Sequence, residues 1–304
     1  MENRKTLGRI NMEQVGAKTL LASLGLMLVT LLWGLSFAVV KNSLDLVPPV
    51  YMMAFRFSIA SLALLFIFPK KISAITKETL KKGFVLGIFL ALGYALQTIG
   101  VVYTSAGKNA FITTTYVIFV PFIYWFFTKQ KPGFFSIIPA FVGLLGIALL
   151  SLQDDLSVNK GDILTLLCGI SYAFHMVFIA LFTKDDDPIL LNIVQIFFVT
   201  VFSWLLAPFY DGAFPLLAIQ DPATIWSMLF LGIFCTMLAF FLQTLCQKFV
   251  PPGTASLIMS LEAVFGVFFA WLILGEILSL RMAFGALLVF VAILLSQKKT
   301  FSKT

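Results

Sequence analysis

The chain has 304 residues, of which 60% are hydrophobic and only 12% charged, with 34 phenylalanines and a net charge of +7. Its mean hydropathy is +1.02. A water-soluble domain carries about a quarter of its residues as charges, so the composition excludes a soluble globular fold and makes the bilayer the relevant solvent.

Runs of roughly 20 apolar residues are what a helix needs to cross the hydrocarbon core. Ten occur in chain order, at 19–40, 48–68, 83–103, 109–127, 134–151, 161–182, 189–208, 223–246, 253–274 and 280–296. A transmembrane barrel would show short segments of alternating polarity instead. The first run is too long for a signal-peptide core and has no small-residue cleavage site before the next loop. The connections are short and hold most of the Pro, Asp and Lys, leaving no room for a separate soluble domain. The expected fold is an all-α integral membrane protein of ten transmembrane helices.

Polar residues inside such spans are costly and are functional candidates by default. Trp33, two-thirds along span 1, is too deep for an interfacial belt; it either lines a cavity, where its face can stack on a substrate cation, or simply packs. Arg56 lies about eight residues into span 2, roughly 12 Å deep, and reads as a structural intramembrane charge bonded to backbone carbonyls or a carboxylate. Gln97 in span 3 and Gln243 in span 8 are either polar rims of two pathway mouths or interhelical amide contacts.

Gly83 with Gly87, and Gly143 with Gly146, permit close helix approach. His175, the single histidine, is either a proton-coupling group or a hydrogen-bonded core imidazole. Glu262 lies nine residues into span 9, roughly 13 Å deep. It either meets a substrate ammonium or a proton, or bonds across helices as a structural carboxylate. Tyr116 is its counterpart in span 4. The candidate substrate-binding set is therefore Trp33, Gln97, Tyr116, His175, Gln243 and Glu262.

The three cysteines, Cys168, Cys235 and Cys246, all fall in apolar runs without metal or disulfide spacing, and read as small core residues. Asp185–Asp187 form one acidic run with no second motif, so solvated charge is favoured over Mg²⁺-diphosphate chemistry. No phosphate loop, Ser-His-Asp set or HExxH is present. No catalytic residue, metal or cofactor is expected, and the chain is not read as an enzyme.

Basic residues set the orientation. With the N-terminus in the cytoplasm, sixteen Lys and Arg fall inside, among them Lys70, Lys71, Lys77, Lys81 and Lys82, while only Lys41, Lys108, Lys160 and Arg281 fall outside. That is the positive-inside pattern. It places both termini in the cytoplasm and the chain in the cell membrane. The net charge is thus a topology signal, and no nucleic-acid partner is expected.

The sequence also repeats itself. LLWGLSFAVV at 31–40 returns as LLCGISYAFH at 166–175, LGIF at 86–89 as LGIF at 231–234, and LQT at 96–98 as LQT at 242–244. Pro49 and Arg56 match Pro188 and Gln195, Gly107 matches Gly253, and ALLS at 148–151 matches ILLS at 293–296. The chain divides into 1–152 and 153–304, each of five spans. Because five is odd, the second half starts on the opposite side, and the halves are inverted copies. Such repeats place a substrate site near the midplane between them and support alternating access. Spans 1, 3, 4, 6, 8 and 9, which hold most of the polar candidates, are expected to line it.

LLWGLSF in span 1, MAFRF in span 2, YTSAGKNAF leading into span 4 and SLEAVFGVFFAWLILGE across span 9 resemble the EamA-type transporters of the drug/metabolite transporter superfamily. The resemblance covers essentially the whole chain; one departure is Ala263, where the family often has proline. It implies a ten-helix secondary transporter, often a metabolite exporter. The expected function is export of small amino-acid-like or related metabolites by alternating access. Drug efflux and metabolite uptake are the alternatives, and a membrane-embedded lipid or prenyl enzyme ranks behind them. The expected partners are a small-molecule substrate and the lipid bilayer, with proton coupling and a homodimer left open.

Overall fold

In the computed structural model, residues 2–151, 158–275, 277 and 279–302 are described, and among them every regular element is helical. The division between the two halves at 152/153, and Glu276 at the end of the span 9 motif, lie outside the described residues. The first elements are α1 (Glu2–Ser43), α2 (Pro49–Ile67), the single turn α3 (Pro69–Ile72) and α4 (Lys77–Tyr103). Span 4 is split into α5 (Ala106–Thr113) and α6 (Tyr116–Thr128), followed by α7 (Phe134–Ser151), α8 (Lys160–Phe182) and α9 (Pro188–Tyr210). Span 8 consists of α10 (Pro222–Gly232), a π-helical segment (Ile233–Leu238) and α11 (Ala239–Gln247). Span 9 is split into α12 (Pro252–Met259) and α13 (Leu261–Leu274), and α14 (Leu280–Ser302) closes the chain.

Eight of the ten expected spans are long and apolar enough to cross a membrane; the apolar stretches of the fifth and tenth, Ser136–Leu149 and Leu280–Ser296, are shorter. Outward-facing residues such as Leu24, Leu62, Phe66, Phe126, Leu145, Leu205 and Phe284 are more than half exposed, the surface that acyl chains accept.

Local chemistry fixes the helix ends. Thr76, Ser105, Asn159, Asp187 and Asp221 each cap the helix that follows by accepting a backbone N–H, which uses donors a helix start cannot bond internally. The splits in spans 4 and 9 are marked by hydroxyl side chains. Thr114 and Thr115 donate to the carbonyls of Phe111 and Ile112, each at 2.7 Å, and Ser260 donates to Leu257 at 2.7 Å. Such back-bonding offers the backbone an alternative to its regular ladder.

The π segment has a different origin. The repeat offset is 145 residues at LGIF and 146 at LQT, so the second half carries one extra residue between these motifs. The π segment lies there, a wider turn that absorbs the insertion and keeps the flanking faces in register.

The helices pair across the two sequence halves. α4 packs on α8 and α9, α2 on α9 and the π segment, α1 on α11, α12 and α13, and α7 on α14. Glycines allow the closest approaches: a side chain at Gly34 would run into Phe265 and Gly266 of α13, and one at Gly83 into Val194 of α9. The three cysteines are buried and free.

Contacts at the helix ends define two faces. At one, Lys71 pairs with Asp187, Lys82 with Asp186 at 2.5 Å, and Thr19 meets the Phe249 carbonyl. The Asp185–Asp187 run is therefore not merely solvated charge, because two of its carboxylates tie α8 and α9 to the basic end of α3 and α4. At the other face, Lys41 bonds the carbonyls of Val101 and Thr104, Lys108 pairs with Asp162 at 2.8 Å, and Asp211 accepts from the amides of Val50 and Tyr51. α1 runs from the Lys71 face to the Lys108 face and α8 runs back; α2 and α9 are likewise opposed.

Candidate functional site

Six spans converge on one narrow interior cavity of about 30 Å³. α1 supplies Trp33, Ser36 and Phe37, α4 supplies Tyr94 and Gln97, α6 supplies Tyr116, and α8 supplies Tyr172, His175 and Met176. α11 contributes Phe240 and Gln243, α12 Met259 and α13 Glu262. All six candidates from the sequence face this one space. Arg56 does not; it borders a smaller adjoining pocket that shares Ser36, Phe37 and Gln97 and continues toward Val101 and Asn109.

At its centre, the Tyr116 hydroxyl donates to Glu262 Oε1 at 3.0 Å, both residues being almost fully buried. The splits in spans 4 and 9 bring them there, since each residue follows a break within two positions. One wall is a chain of rings: Trp33 to Phe240 at 5.2 Å, Phe240 to Tyr94 at 5.7 Å, and Tyr94 to Tyr172 at 5.9 Å between centroids.

Gln97 and Gln243 both line this cavity. Gln97 donates to Thr113 at 3.1 Å and accepts from the Tyr172 hydroxyl at 3.2 Å. Gln243 lies against Met259 Sδ at 3.9 Å, and its Oε1 is buried without a partner.

His175 bonds Gln195 at 2.8 Å. The roles follow from the surrounding network. Thr244 donates its hydroxyl proton to the Phe240 carbonyl at 2.8 Å, so it accepts from Gln195 Nε2 at 3.2 Å. Gln195 Oε1 is then the acceptor and His175 Nε2 the donor.

Arg56 is 3% exposed and serves the π segment. Its Nε donates to Thr236 Oγ1 at 2.8 Å, its Nη2 reaches the Cys235 carbonyl at 3.4 Å and the Tyr94 hydroxyl at 3.5 Å, and the guanidinium lies 5.0 Å from the Tyr94 ring centroid. Trp33 Nε1 donates to the same Cys235 carbonyl at 3.1 Å. Two side-chain donors thus meet one carbonyl of the π segment.

Tyr94, Tyr172, Phe240 and Met259 were not singled out from the sequence, where each reads as an ordinary apolar or aromatic position. Repeat matching offered a signal, because Tyr94 aligns with Phe240 and Phe37 with Tyr172. Among the described residues no cluster of His, Cys, Asp and Glu could hold a metal ion.

Two stretches of the chain, residues 20–152 and 159–297, match the EamA-like transporter family. The chain belongs to the EamA-like transporter family. This EamA-family chain is 34% identical over 283 residues to an uncharacterized transporter of Archaeoglobus fulgidus, covering 92% of this chain and 87% of that protein. It is 28% identical to the uncharacterized transporter YoaV of Bacillus subtilis, over 92% of this chain and 97% of that one. A solved crystal structure shares its fold with a TM-score of 0.73 at 14% identity, covering 91% of this chain and 98% of the other. The EamA protein is thus a multi-pass membrane transporter.

Proposed function

We propose that the protein is a ten-span secondary transporter whose halves, 1–152 and 153–304, are inverted copies moving a small metabolite by alternating access. The opposed courses of α1 with α8 and of α2 with α9 support the inversion, as do the two family matches in tandem. The reading rests chiefly on one observation: the Tyr116–Glu262 bond joins repeat-matched positions in a cavity lined by both halves. A carboxylate among aromatic rings, with no Lys or Arg lining the cavity, suits a solute bearing an amino group, amino-acid-like or related. The Lys71 face carries most of the loop lysines, so it is assigned to the cytoplasm, with both termini there, in the cell membrane. The direction assigned is export.

Reconstitution into proteoliposomes and uptake of labelled amino acids and amines tests this. Saturable, counterflow-stimulated uptake is expected. Uptake indistinguishable from empty liposomes for every solute would remove the proposal.

A further inference from the structure

The cavity's polar groups are unequally matched. Its ring and hydroxyl donors are mostly engaged: Trp33 on the Cys235 carbonyl, Tyr116 on Glu262, Tyr172 on Gln97 and His175 on Gln195. Apart from the Tyr94 hydroxyl, which accepts from Arg56 and keeps its own proton, the unmatched groups are acceptors. Glu262 receives the Tyr116 proton on one oxygen, which leaves its second oxygen for the cavity. Gln243 Oε1 has no partner although the residue is 1% exposed. Met259 Sδ carries no hydrogen and can only accept, so it holds the amide nitrogen of Gln243 and leaves the carbonyl oxygen unbonded. A buried acceptor without a donor is costly, which marks it as a place where a ligand's N–H belongs.

Cationic partners are missing from the same space. The guanidinium beside it, Arg56, borders the adjoining pocket and is bonded to Thr236, the Cys235 carbonyl and Tyr94. A carboxylate entering beside Glu262 would meet like charge with no positive side chain to offset it.

We propose that the cavity binds a primary ammonium group, shared by Glu262 and Gln243, on a flat apolar body lying against the Trp33–Phe240–Tyr94 rings, and that it excludes the α-carboxylate of the corresponding amino acid. This rests on the transport reading and keeps its amino group, but replaces amino-acid-like solutes with related amines that lack a carboxylate. The ammonium offers three N–H donors, enough for both unmatched oxygens, and its charge faces ring π-systems as well as the carboxylate.

The test uses the full-length protein purified in detergent and two labelled probes, phenethylamine and phenylalanine, which differ by one carboxylate. Phenethylamine is expected to bind at least about tenfold more tightly, since charge-assisted bonds are worth about 1.5–3 kcal/mol and about 1.4 kcal/mol is tenfold. Glu262→Gln should weaken phenethylamine at least tenfold on the same grounds. If that variant cannot be purified, Gln243→Met, which keeps the side-chain length and removes the acceptor, should weaken it about three- to tenfold.

Equal or tighter binding of phenylalanine would overturn the proposal and assign a carboxylate subsite to Arg56. Binding of neither probe, or phenethylamine binding unchanged in both variants, overturns it too. The two readings separate cleanly. Phenethylamine binding without proteoliposome uptake of any solute removes the transport reading alone, whereas phenylalanine uptake without phenethylamine binding removes the amine site alone.

Discussion

Tyr116 and Glu262 are 146 residues apart in sequence and 3.0 Å apart in space, a phenol donating to a carboxylate at equivalent positions of the two sequence repeats. Each follows a hydroxyl-marked break in its span. The bond therefore spans the seam along which alternating access would have to move the two halves.

Replacing Glu262 by Gln keeps shape and most hydrogen bonding while removing the charge. Proteoliposome transport is expected to fall at least about tenfold, the worth of one charge-assisted hydrogen bond, with insertion and purification unchanged. Tyr116→Phe should cost less, because it frees a carboxylate oxygen without removing it. Normal transport by Glu262→Gln across pH 5 to 8 would make the carboxylate structural and shift attention to Trp33 and His175.

Arg56 is expected to govern stability rather than transport chemistry. Arg56→Ala leaves the Cys235 carbonyl with Trp33 alone and removes the donor to Thr236, whose hydroxyl keeps only its bond to the Leu231 carbonyl, at a cost of about 1–3 kcal/mol. Arg56→Lys should recover only part of it, since an ammonium lacks the fork that reaches both groups. Thermal unfolding in detergent measures the loss. Transport per folded molecule should change less than it does for Glu262→Gln.

The Lys71–Asp187 pair predicts a pH effect at the face where it lies. Partial burial pushes the Asp187 carboxyl up, but the Lys71 ammonium and the Ile189 amide outweigh it and hold the group below its ordinary value of 3.8. A carboxyl lowered in this way adds stability above its ordinary value, and that stability is lost as pH falls through the lowered one. Unfolding measured downward from about pH 6 should show this acid-side loss. Lys71→Ala should flatten it, by roughly 0.2–1 kcal/mol for a partly exposed pair.

Orientation is open to labelling. The native cysteines are buried, so background should be low. A cysteine at Ser73 is expected to react with an impermeant maleimide only from the cytoplasmic side, and one at Ser157, outside the described residues, only from the external side. Labelling of position 73 from outside would reverse the assignment.

Much of this arrangement was readable because membrane spans are written as long apolar runs and because the repeat advertised its own offsets. Depth along a span then picked out Glu262, the repeat picked out Tyr116 as its counterpart, and His175 stood out as the single histidine. The split of span 9 was harder to read. The family often has a proline near that point, whereas here Ala263 stands and the mark of the break is Ser260 bonding back to Leu257. The rings of Tyr94 and Phe240 were hidden because an aromatic residue in an apolar run looks the same whether it meets lipid, core or cavity. Arg56 read as a structural charge bonded to backbone carbonyls or a carboxylate, but which carbonyl could not be read, because the π segment that supplies Cys235 was visible only as a one-residue change in repeat spacing.

That extra residue makes the halves non-interchangeable. Arg56 and Trp33 in the first half answer a carbonyl that exists only where the second half is one residue longer; their counterparts, Gln195 and Cys168, face a span with no such insertion. A protein assembled from two copies of residues 1–152 would bury two guanidiniums with no π-segment carbonyl to receive either. One built from two copies of the second half would hold two such carbonyls and neither donor. The two halves therefore differ in what each supplies at the π segment, and a symmetric dimer of either half would lack one side of that pairing.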